Sequence, residues 1–271
     1  MASAIFQIRD NTLVNPWTLV GGAVAYGNPD KLAVDVNATE SNRNQCRIGA
    51  SGTIFKWAFG IIDGTTVADK TLTLRINGVD VPGSAIVSAH GVTADYQVSN
   101  LGFAVVETDK LTVKTDMTGV SGSATVGGVL VYFTSSEYPG EEFVRIGDSH
   151  STAQSVGAGL TRYGVLDNLS SAVNSTESNV QRYYGINGAA RKLFINVASN
   201  AATTNSTITL RQGGSDIATI TVGSGATGYF DTDVNVTIAD NDLLNIKVIC
   251  GSTGAITFDC WGMIATVSGT T

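Results

Sequence analysis

Two histidines, three cysteines and a run of aspartates are the side chains of this 271-residue sequence from which acid–base, thiol or metal chemistry could be built. His90 ends a strand-like run ahead of Gly91, and His150 sits in Gly147-Asp-Ser-His-Ser151. Both read as loop positions, at places that do not correspond in the repeat described below. Asp231, Asp233, Asp240 and Asp242 are close enough in sequence to suggest calcium, which takes about six to eight oxygen ligands. Their spacing is not that of an EF-hand, however, and the first half of the chain has no counterpart of Asp231 and Asp233. They read as solvated turn carboxylates. Cys46, Cys250 and Cys260 are odd in number and lack a CxxC spacing, so no disulfide framework is implied and buried thiols are expected. No GxSxG, HExxH or Walker pattern occurs, and Gly223-Ser-Gly-Ala-Thr-Gly228 precedes a strand rather than a helix. A Ser/His/Asp set carries no weight without geometry. The expectation is a non-enzymatic protein without catalytic residues, cofactor or metal.

One polar stretch stands out because it occurs twice. Tyr26-Gly-Asn-Pro-Asp-Lys-Leu-Ala-Val-Asp-Val-Asn-Ala-Thr-Glu-Ser-Asn42 matches Tyr163-Gly-Val-Leu-Asp-Asn-Leu-Ser-Ser-Ala-Val-Asn-Ser-Thr-Glu-Ser-Asn179 in register. Thr39, Glu40 and Ser41, with Thr176, Glu177 and Ser178, are therefore candidate partner-contact residues. The alternative is a hydrogen-bonded structural loop.

The repeat extends downstream. Thr71-Leu-Thr-Leu-Arg75 matches Thr207-Ile-Thr-Leu-Arg211, and Asp109-Lys-Leu-Thr-Val-Lys114 matches Asp242-Leu-Leu-Asn-Ile-Lys247. The order of elements is kept and the indels are loop-sized, so the chain reads as two tandem copies, 1–135 and 136–271, joined through Ser135-Ser-Glu-Tyr-Pro-Gly140.

Within each copy the hydrophobic period is two. Phe55, Trp57, Phe59 and Ile61 alternate with Ile54, Lys56, Ala58 and Gly60, and Leu193, Ile195 and Val197 do so around Lys192, Phe194 and Asn196. Such alternation marks strands with one buried face. Leu72, Leu74 and Ile76 alternate likewise and run into Asn77-Gly78, a strong hairpin signal, with Gly213-Gly214 at the matching place. No dozen-residue window carries a helical pattern, and Pro16, Pro29, Pro82 and Pro139 all fall between strand runs. About eight short strands per copy predict an all-β protein of two tandem β-sandwiches of jelly-roll type with little or no helix.

Composition agrees. Apolar residues make up 43% and charged residues 14%, against a usual charged share of about 25%, with Gly, Ser, Thr and Asn filling the difference. The net charge of −7 and the scattering of 16 Lys and Arg argue against a phosphate-binding surface and hence against nucleic acid as a partner. Arg9 and Asp10 interrupt the start where a signal peptide would need an apolar core, and no apolar stretch approaches the roughly 20 residues of a membrane span. Synthesis in a cytoplasm, without membrane association, is the expectation.

The run Thr71–Asp80, the strand Asp109–Lys114 and the closing apolar strand resemble the small jelly-roll modules of tailed-bacteriophage virion proteins, of the capsid decoration and head-fibre type. That resemblance implies a protein on the capsid surface of the virion that binds and stabilises an assembled shell of major capsid protein. It further implies a homo-oligomer, a trimer before other states, that clamps its neighbours with an N-terminal arm. In this sequence the arm would be Met1–Pro16, where Ile5, Phe6, Ile8, Leu13 and Val14 form an apolar, extended start whose unpaired edge a partner strand could complete. Two alternatives stand beside it: a receptor- or carbohydrate-binding fibre or tail protein, and a double-jelly-roll major capsid protein.

Overall fold

The computed structural model of the chain describes residues 17–20, 22, 24–27, 46–166, 173–185 and 187–266. The chain divides into two units that meet between Arg145 and Ile146. The candidate contact residues Ile5, Phe6, Ile8, Leu13, Val14, Thr39, Glu40 and Ser41 lie outside the described residues.

The first unit is built from β1 (Trp17–Val20), β2 (Val24–Gly27), β3 (Cys46–Arg47), β4 (Gly52–Gly64), β5 (Lys70–Ile76), β6 (Val79–Asp80), β7 (Ile86–Ser88), β8 (Asp95–Val105), β9 (Lys110–Asp116) and β10 (Ser123–Ser135). All pairings are antiparallel. One sheet has the order β1-β10-β4-β8; in the other, β2 and β3 flank β9, which pairs with β5, which carries β6 and β7 on its far side. Counting β2 with β3 and β6 with β7 as single interrupted strands gives eight. Their order is first-eighth-third-sixth in one sheet and second-seventh-fourth-fifth in the other, the double Greek key of a jelly roll.

The next strand, β11 (Glu142–Gly157), begins in the first unit, where Glu142–Val144 pair with Tyr132–Thr134 of β10. From Ile146 it belongs to the second unit, followed by β12 (Thr161–Gly164), β13 (Arg182–Tyr183), β14 (Gly188–Asn200), β15 (Ser206–Gln212), β16 (Ser215–Val222), β17 (Gly228–Ile238), β18 (Leu243–Ile249) and β19 (Ala255–Thr266). Here the sheets are β11-β19-β14-β17 and β12/β13-β18-β15-β16. This is the first unit's strand order again, element for element. The only helical turn among the described residues is 3₁₀, at Glu177–Asn179, and no helix there is long and apolar enough to cross a membrane.

The period-two pattern explains much of each core, although β14 is buried on both faces, with Lys192, Phe194 and Asn196 buried like the residues between them. Trp57, Phe59 and Ile61 of β4 are buried together with Leu72, Leu74 and Ile76 of β5 and Leu111 and Val113 of β9. In the second unit Leu193, Ile195, Val197, Trp261 and Met263 are buried with Ile208, Leu210, Leu244, Ile246 and Val248. Each such side chain contributes about 1.5–3 kcal/mol when fully withdrawn from water. The two buried tryptophans also tie elements together. Trp57 Nε1 donates to the Ser84 carbonyl at 2.8 Å, and Trp261 Nε1 donates to the Val165 carbonyl at 2.9 Å. Cys250 and Cys260 are buried.

The hairpin turns follow their residue types. Asn77 and Gly78 have φ of 49° and 80°, and Gly213 and Gly214 have φ of 56° and 84°, the pair of positive angles that a type I′ turn needs. Two expectations are corrected. His150 lies in strand β11, not in a loop. Phe55 does not share the face of Trp57, because Ile54 and Lys56 lie opposite the consecutive residues Phe133 and Tyr132 of β10, which leaves Phe55 as an extra residue. This is a β-bulge, which turns the extra residue away from its expected side. Ile54 is fully buried, and Phe55 packs half-buried against Tyr132, ring centroids 6.3 Å apart.

Candidate functional site

Duplicated polar residues converge on one arginine in each unit. In the second, Arg211 near the end of β15 reaches the turn that follows it. Its Nη1 donates to Asp216 Oδ1 at the start of β16 and its Nη2 to the Gly214 carbonyl. The hairpin turn dictates this, since it brings Asp216 opposite Arg211 on the neighbouring strand. From the other side Glu177, in the 3₁₀ turn, grips the same guanidinium with both oxygens, Oε1 at 2.5 Å from Nε and Oε2 at 3.0 Å from Nη2. Such forked pairing is the strong form of a charge-assisted hydrogen bond. Lys247 of β18 closes the set by donating from Nζ to Asp216 Oδ2, and the guanidinium carbon lies 5.9 Å from the ring centre of Tyr163 on β12.

The first unit carries the same cluster. Arg75 donates to Asp80 Oδ1 and to the Gly78 carbonyl, Lys114 Nζ donates to Asp80 Oδ2 at 3.0 Å, and Tyr26 lies 5.4 Å from the guanidinium. Tyr26, Arg75, Gly78, Asp80 and Lys114 thus correspond to Tyr163, Arg211, Gly214, Asp216 and Lys247.

In the second unit two carboxylates sit between two cations, so the charges compensate. The Arg211 and Glu177 side chains are only 12% and 20% exposed, which shields the pair from solvent screening. Burial and then the Arg211 charge push the Lys247 ammonium below the ordinary lysine range, against the opposing pull of Tyr163 and Glu177. Chemically this is a fastening. It pins the 173–179 stretch to the sheet.

Of the sequence candidates within the described residues, Glu177 is turned onto Arg211, while Thr176 and Ser178 beside it are exposed. Sequence reasoning quoted Arg75, Arg211, Lys114 and Lys247 as marks of the repeat without seeing them as one cluster. The signal was present: charged residues retained at matching positions of neighbouring strands.

The other chemical candidates are dispersed. His90 meets the exposed Asp69 through its ring Nδ1 at 3.3 Å and its backbone N–H at 3.0 Å. Asp231 pairs with Lys192 Nζ at 3.2 Å. Asp242 Oδ2 accepts from the Ala239 N–H at 2.7 Å and from Gln212 Nε2 at 2.5 Å. Among the described residues no group of three or more His, Cys, Asp or Glu side chains is arranged to hold a metal ion.

No protein-family model matches the sequence, and no curated protein matches it. Solved structures give distant likenesses. Dimeric latent PorU from Porphyromonas gingivalis has 12% identity and a TM-score of 0.28 over 82% of this chain, which spans only 24% of that one. The tandem CBM22-1-CBM22-2 domain of Paenibacillus barcinonensis Xyn10C has 11% identity and a TM-score of 0.25, covering 92% of this chain and 94% of that one. The infectious bursal disease virus Gx strain structure has 10% identity and a TM-score of 0.27, covering 95% of this chain and 72% of that one. Likenesses this weak carry no functional argument. The class that the fold defines is a tandem jelly-roll β-sandwich protein.

Proposed function

We propose that this chain is a non-enzymatic virion structural protein, a decoration or cement protein that binds the assembled shell of a major capsid protein and stabilises it. The observation that carries the reading is the complete jelly-roll strand order present twice in one chain. A tandem pair presents two similar faces to a surface whose binding sites also repeat, and simultaneous engagement of both multiplies affinity. The contacts proposed are the apolar start, with Ile5, Phe6, Ile8, Leu13 and Val14, and the exposed flanks of the repeated stretch, Thr176 and Ser178. Assembly on the capsid as a homo-oligomer, a trimer first, belongs to the same proposal, as does production in a host cytoplasm without nucleic-acid or membrane partners.

The same observation favours a second reading, a major capsid protein built from two jelly rolls. A sugar-binding fibre is less favoured. Trp57 and Trp261 are fully buried and spend their indole N–H groups internally, so neither offers an aromatic platform. The test is the thermal and osmotic resistance of shells made without this protein, before and after adding it. A saturable gain in resistance supports the cement role. Shells built by this chain alone would establish the second reading, and attachment to glycans without any effect on shells would overturn both.

A further inference from the structure

Asn-Gly is the dipeptide in which a protein chain most readily loses a side-chain amide. The Gly backbone nitrogen, freed of its proton, attacks the Asn Cγ. The new N–Cγ bond closes a succinimide ring while the Cγ–Nδ2 bond breaks and ammonia leaves, and water then opens the ring to aspartate or isoaspartate. Glycine favours the attack because it places no side chain in the way and leaves the backbone free to turn. Asn77-Gly78 is such a pair, and Asn77 is exposed at the tip of the β5–β6 hairpin.

The folded turn holds that amide on both sides. Asn77 Nδ2 donates to Asp109 Oδ1 at 2.7 Å, and Asn77 Oδ1 accepts from the Lys110 N–H at 2.9 Å. The Asn77 N–H donates to the Lys110 carbonyl at 2.9 Å. Asp109 is fixed in turn, its Oδ2 accepting from the Val106 N–H at 2.8 Å. Closing the succinimide requires Cγ to swing onto the Gly78 nitrogen, and that swing breaks both side-chain bonds, one of them charge-assisted. The second unit shows the other solution. Gly213 stands at the place of Asn77 and has no amide to lose, and Gln212 Nε2 donates instead to Asp242, the counterpart of Asp109.

We infer that Asn77 is a deamidation site that the native hairpin holds shut, and that its conversion is a one-way switch at this end of the first unit. While the turn is closed the amide survives. When the turn opens locally, Gly78 attacks and a carboxylate replaces the amide beside Asp109. Two like charges then meet where a donor met an acceptor, so the turn does not close as before. Isoaspartate also lengthens the main chain by a carbon atom.

The test is peptide mapping by mass spectrometry of the full chain kept at mildly alkaline pH, beside a synthetic peptide spanning Leu74–Asp80. Conversion at Asn77 should be at least about tenfold slower in the folded chain than in the peptide, and Asp109→Ala should speed it about tenfold, since one charge-assisted bond less keeps the turn closed. Circular dichroism shows whether that variant is folded. Independently, Asn77→Asp, the product of the reaction, should lower the melting temperature more than Asn77→Gly, the second unit's residue. The double variant Asn77→Asp/Asp109→Asn, which exchanges donor and acceptor, should recover most of that loss. Deamidation as fast in the folded chain as in the peptide, an unchanged rate in folded Asp109→Ala, or equal melting temperatures for Asn77→Asp and Asn77→Gly overturns the inference.

Discussion

Arg211 is bound on two sides, by Asp216 and the Gly214 carbonyl of its own hairpin and by Glu177 from 34 positions away. Replacing it by Met leaves two carboxylates facing each other. The expected cost is about 2 kcal/mol, midway between exposed and buried ion pairs, read from denaturant midpoints. Arg211→Lys should recover only part of it, because a point charge cannot reproduce the forked grip on Glu177. Tyr132 gives a second residue-scale prediction. Burial, aided by the Glu142 carboxylate, raises its phenol from 10.0 to about 12, with the Lys56 ammonium 3.8 Å from the ring centre. Because the folded value lies above the unfolded one, this contribution is present in full below pH 10 and is lost as pH rises toward 12. Its size is at most about 2–3 kcal/mol. Ultraviolet titration should show a late tyrosinate that Tyr132→Phe removes, and the same variant should flatten the alkaline loss of stability over that window. At this scale the sequence was only partly legible. The Thr-Glu-Ser repeat was visible as something retained, but the partner of Glu177 lies on a distant strand, and period-two reading says nothing about which outward side chains meet.

The elements were far more legible. Alternating Leu72, Leu74 and Ile76 with the Asn77-Gly78 turn is a local signal, set by backbone sterics and one buried face, and the strand and type I′ turn stand where it puts them. Bulges were not legible. The slip at Phe55 arises from cross-strand register with β8 and β10, which no single strand encodes. Nor did sequence show that β11 continues through His150, since Gly147-Asp-Ser-His-Ser151 carries loop-type residues that form a strand by pairing. Close packing of β12 against Trp261 supplies the prediction at this scale. A Cβ on Gly164 would fall 2.5 Å from the Trp261 ring, and that ring is rigidly buried. Gly164→Ala should therefore cost about 1–3 kcal/mol through overpacking, visible as a lowered melting temperature. Gly159→Ala, where a Cβ meets nothing within 4 Å but φ is +65°, should cost only the roughly 1 kcal/mol of backbone strain.

For the whole molecule, duplication is the organising fact. Matching runs in the sequence correspond to two units with one strand order, and even the arginine clusters recur at matching positions. Two similar faces in one chain are of use where the partner surface also repeats, which is the physical basis for proposing a capsid shell. Quantitative co-sedimentation of the purified full chain with shells assembled without it tests that claim most directly. The account predicts saturable binding at a fixed ratio to the major capsid protein, set by the symmetry of the shell. Failure to sediment with shells at any concentration, with the chain remaining in the supernatant, would contradict it.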